Sequence, residues 1–69
     1  MSVKFAKSLS GNVYSYDVKT CLEFKKKISE EKSIPIKMLK LFSEDGELSD
    51  DSELQEEVVY SLFLEYGDG

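Results

Sequence analysis

The rhythm of apolar and polar positions changes along this chain, and each change marks an element. Met1, Val3 and Phe5 alternate with Ser2, Lys4 and Ala6, the period of two that a half-buried strand shows, and this phase puts Val3 and Phe5 on the buried face. After Ser8-Leu9-Ser10-Gly11-Asn12 the alternation resumes as Tyr14, Tyr16 and Val18 against Ser15, Asp17 and Lys19. Two strands flanking a Gly-Asn turn read as a hairpin. The period then lengthens: Cys21, Phe24 and Ile28 recur as one helical face, while Lys25, Lys26, Lys27, Glu30 and Glu31 fall elsewhere. The result is a narrow apolar stripe with a broad charged back. Thr20 followed by Glu23 is a capping box that starts this helix at Cys21. Ile34-Pro35 cannot continue a helix, so the spacing predicts an end near Lys32.

Alternation returns in Met38–Phe42, with Leu39 and Leu41 on one face and Met38, Lys40 and Phe42 on the other. Asp45-Gly46 turns the chain, since both residues tolerate turn conformations, and Leu48 anchors a very short strand. Residues 49–57 are too polar for a core element and read as a solvated loop pinned by Leu54. In the last strand, residues 58–66, Tyr60, Leu62 and Leu64 share one side and Ser61, Phe63 and Glu65 the other. The expected organisation is one domain over residues 1–66 and a flexible tail over 67–69. Hairpin, helix, strand, short strand, strand is a ββαββ order, and one helix across one mixed sheet is the α+β solution for so short a chain. With the last strand beside the first, Cys21, Phe24 and Ile28 are expected to pack on Val3, Phe5, Tyr16, Val18, Leu41, Leu62 and Leu64.

Composition narrows the chemistry. In 69 residues there is one cysteine and no histidine, which leaves no intrachain disulfide and no cysteine–histidine zinc site. A reducing compartment, cytoplasmic and/or nuclear, fits best. No apolar run approaches the ~20 residues that cross a bilayer, and the first residues lack a secretion signal's apolar core. All nine lysines lie within residues 1–42, whereas residues 43–69 hold ten carboxylates and no base. With no arginine, a net charge of −5 and no basic cluster interleaved with aromatics, nucleic acid is not an expected partner. The acidic segment does not follow the alternating ligand spacing of a calcium loop. Cys21 sits at a helix N-terminus, where a thiol can be activated, but no base or oxyanion arrangement accompanies it and it lies on the apolar stripe. No catalytic constellation, cofactor or metal is expected.

Taken in order, Leu9-Ser10-Gly11, Thr20, Ile28, Ser33-Ile34-Pro35, Lys40-Leu41-Phe42, Leu48 and the spacing of Leu62, Leu64 and Tyr66 to Gly69 can be laid along ubiquitin from end to end. The chain resembles the ubiquitin-like family, in a divergent and shortened form. The resemblance implies a β-grasp fold without catalytic activity, a monomer recognised by ubiquitin-receptor-like or other docking proteins, or else attached to proteins. It places the partner-binding set at Leu9, Phe42, Ser61 and Phe63, with Lys40 beside them; Ser61 stands where ubiquitin has a histidine. Gly46 replaces the most used chain-building lysine. Gly69 is the residue through which a modifier of this family is conjugated, yet Asp68 breaks the diglycine end, and Glu65 stands where ubiquitin presents an arginine to its activating enzyme. Docking through an apolar sheet face is therefore the expected role, with conjugation through Gly69, or release of a fused leader there, as the alternative.

Overall fold

A computed structural model describes residues 3–64. Strands β1 (Val3–Ser8) and β2 (Val13–Asp17) form the hairpin, helix α1 (Cys21–Lys32) follows, and a single 3-10 turn (Ile36–Met38) leads into β3 (Leu39–Ser43), β4 (Gly46–Glu47) and β5 (Val59–Leu64). The sheet order is β2-β1-β5-β3-β4. β5 runs parallel to β1 and antiparallel to β3, so the first and last strands lie side by side within a mixed sheet with α1 across one face. This is the α+β, β-grasp arrangement of the ubiquitin-like type.

The helix begins and ends for local reasons. The Thr20 hydroxyl accepts from the Glu23 N–H at 3.3 Å, and the Glu23 carboxylate accepts from the N–H groups of Thr20 and Lys19 at 3.2 and 3.0 Å. These bonds favour the ionised form and hold the Glu23 carboxyl below its ordinary value. At the other end Ser33 takes the left-handed conformation, φ 57° and ψ 41°, and its N–H and that of Ile34 both turn back to the Ser29 carbonyl. That geometry closes the last turn. Beneath the helix, Cys21, Phe24 and Ile28 bury against Ala6, Val18, Leu39, Leu41, Tyr60 and Leu62. Tyr16 meets Phe24 edge to face at 5.0 Å.

Strand β1 lies in the opposite phase to its apolarity. Val3 and Phe5 face away from the helix, and Lys4, Ala6 and Ser8 point beneath it. Register is the cause: Ala6 pairs with Tyr60 and Ser8 with Leu62, both buried, and directly opposed residues share a face. Ala6 leaves room for the helix, while Lys4 lays its methylenes in the core and donates from Nζ to the Val18 carbonyl at 2.9 Å. An apolar count alone inverts this strand.

The acidic loop is more than a solvated connection. Its main chain crosses the start of α1, where the Cys21 N–H donates to the Ser52 carbonyl at 2.9 Å and the Leu22 N–H to the Asp50 carbonyl at 3.0 Å. Two of the donors that a helix leaves unsatisfied at its N-terminus are thereby met. The Leu54 N–H donates to the Lys19 carbonyl, and Leu54 is buried, as its isolated apolarity implies. Lys25, on the flank of the stripe, is covered by the same loop and pairs with Asp50. The Tyr60 hydroxyl accepts from the Gln55 N–H at 2.8 Å, fixing the loop's exit into β5.

Candidate functional site

The face of the sheet turned away from α1 is built by pleat and register. On β5 the outward residues are Val59, Ser61 and Phe63; on β3 they are Lys40 and Phe42. Lys40 stands opposite Phe63 and Phe42 opposite Ser61. The diagonal between them brings the Phe42 and Phe63 rings together at 4.9 Å, inclined by 66°, the edge-to-face contact that aromatic quadrupoles favour. Phe42 is half-buried by this contact and Phe63 remains 37% exposed. The pair therefore both packs on itself and faces solvent.

The neighbouring strand continues the surface. Phe5 pairs with Val59 and Lys7 with Ser61, and Val13 lies beside Lys7 on β2. Phe5 is 37% exposed, and Val13 and Val59 are each 61% exposed. An apolar band thus spans β2, β1, β5 and β3, with Lys7 and Lys40 set into it. Val3, Phe5, Val13 and Val59 were not among the sequence-derived site residues. The signal that identifies Val3 and Phe5 is their phase with Lys7, read together with the small Ala6 and Ser8 between them.

Of the sequence-derived set, Phe42, Ser61, Phe63 and Lys40 come together on this face. Leu9 is 81% exposed in the turn between β1 and β2, where it borders a hollow shared with Ser8, Ser10, Leu62 and Leu64. Leu62 and Leu64 belong to the helix side of β5, and Leu9 follows Ser8, which pairs with Leu62 at the end of the β1–β5 ladder. Gly69, with Asp68 and Glu65, lies outside the described residues.

The remaining candidates are placed as follows. Cys21 is fully enclosed, and burial pushes its thiol up, opposed by the nearby Lys25. The thiolate is disfavoured there. Among the described residues no group of three or more Cys, Asp or Glu is arranged to hold a metal ion, and no helix is long and apolar enough to cross a membrane. No protein-family model matches this chain, and no curated protein matches it.

Proposed function

We propose that this chain is a non-enzymatic, ubiquitin-like docking module of the cytoplasm or nucleus that holds protein partners against the outer face of its sheet. The observation that carries the reading is the Phe42–Phe63 pair, kept at the surface although the helix side of the same strands is closed. Exposed aromatics held rigid by each other and flanked by apolar neighbours supply binding area at little entropic cost. Lys7, Lys40 and Ser61 give the surface polar points that orient a partner. Partners rich in carboxylates around an apolar anchor suit it best, because opposite charge at the edge of a contact speeds and orients encounter.

The test uses immobilised wild type and a Phe42→Ser/Phe63→Ser variant in cell extract, with captured proteins identified and their contacts mapped by amide shifts. Partners that shift outer-face amides, and are lost in a variant whose far-ultraviolet circular dichroism is unchanged, support docking. Collapse of the variant's fold, or partners that shift only other amides, overturns it. The same extract with ATP and magnesium distinguishes the alternative: an isopeptide adduct that disappears when Gly69 is removed assigns a covalent modifier instead.

A further inference from the structure

A second surface of the molecule carries a different kind of contact. β2 is an edge strand, paired on one side with β1 and on the other with nothing among the described residues. Natural edges are usually blunted by lysine, proline or a bulge, because an open ladder of N–H and C=O groups is a template for another strand. The sequence of β2, Val13-Tyr14-Ser15-Tyr16-Asp17, carries no lysine, proline or glycine, and is rich in the residues that favour strands. Its centre, Ser15, is exposed, and Tyr14 and Tyr16 are half-buried on the helix side.

The last turn of α1 completes this edge. Lys32 holds its Nζ over the Tyr14 ring, 5.8 Å from the centroid. The preceding residue, Glu31, sets its carboxylate near the Tyr16 phenol and opposes its ionisation. A cation is thus fixed over one tyrosine and an anion beside the other, two residues further along the same strand.

We propose that β2 pairs antiparallel with β2 of a second copy of this chain, joining two sheets across a two-fold axis at Ser15. An axis there sets Tyr14 opposite Tyr16 of the other copy and Val13 opposite its Asp17. Directly opposed side chains of antiparallel strands stand ~4.5–5.5 Å apart at Cβ. Lys32 over one Tyr14 then meets Glu31 on the other copy's Tyr16, and the two-fold repeats the contact with roles exchanged. Self-complementarity is what an isologous interface requires, and only the antiparallel register keeps both helices on one face of the joined sheet, where these charges can meet. This contact does not use the outer sheet face, so it stands or falls separately from docking there.

The experiment is sedimentation of the purified chain over a wide concentration range at low salt, with amide hydrogen exchange at both extremes. Self-association with concentration-dependent protection of the β2 amides supports the proposal. Glu31→Lys sets two cations against each other and Lys32→Glu two anions, so each alone is expected to weaken association about tenfold or more, about 1.4 kcal/mol. Mixing the two variants, or combining both changes in one chain, restores opposite charge and association. Ser15→Lys, exposed in the monomer, opposes two lysines at the axis and weakens pairing while circular dichroism stays unchanged. A chain that is monomeric at millimolar concentration overturns the proposal. So does association that protects Phe42 and Phe63 but not β2, one indifferent to the charge exchange, or β2 protection that appears only with an unrelated extended peptide.

Discussion

Both faces of this sheet carry large apolar side chains, with opposite consequence. On the helix side, Leu39, Leu41 and Leu62 are closed off with Ala6 by Phe24 and Ile28 of α1. On the outer side, Phe5, Phe42, Val59 and Phe63 are as hydrophobic, but no element of the described residues lies over them. A side chain's contribution to stability follows the area removed from water rather than its own apolarity. The inner set therefore holds the fold, and the outer set stays open to solvent.

The largest separation is expected from matched truncations. Phe24→Ala empties a fully buried site and should cost about 3–5 kcal/mol, enough to unfold much of so small a domain. Phe63→Ala should cost about 1 kcal/mol, chiefly its edge contact with Phe42. Chemical denaturation of the two variants breaks the comparison if they lose similar amounts.

A second pair tests the phase of β1. Lys4→Glu replaces a donor to the Val18 carbonyl with a buried acceptor, an uncompensated charge expected to cost about 3 kcal/mol or more. Phe5→Glu, one position away on the open face, should cost about 1 kcal/mol. Equal losses, or the reverse order, mean that the strand is turned over.

Smaller effects sharpen the picture at the ends of α1. Ser33→Gly removes a side chain from a left-handed residue and should raise stability by about 0.5–1 kcal/mol, read as a higher denaturation midpoint. Tyr16, beside α1's last turn, is pushed from 10.0 up to about 12 by burial first and by the adjacent Glu31 carboxylate next. Folding therefore favours its protonated form. The associated stability is fully present below about pH 10 and is lost as pH rises through the folded value near 12. Absorbance titration should show one late-ionising phenol, absent in Tyr16→Phe, and the variant's stability should decline less steeply across that alkaline window.

Wherever a residue's own neighbours in the chain decide its state, the sequence was sufficient. Thr20 and Glu23 define the start of α1, Pro35 forbids its extension, and Gly46, with φ 122°, lets the chain leave the turn and open β4. The strong alternation of Tyr60, Leu62 and Leu64 fixes which side of β5 meets the helix. Two features depended on partners distant in the chain, and only the tertiary structure decided them. β1 turned Val3 and Phe5 outward because its pairing with β5, not its own apolarity, sets its pleat. The acidic loop became part of the helix cap because its carbonyls lie where Cys21 and Leu22 need acceptors. Periodicity records which residues can share a face, but which face is covered is settled by the strand or helix that packs there.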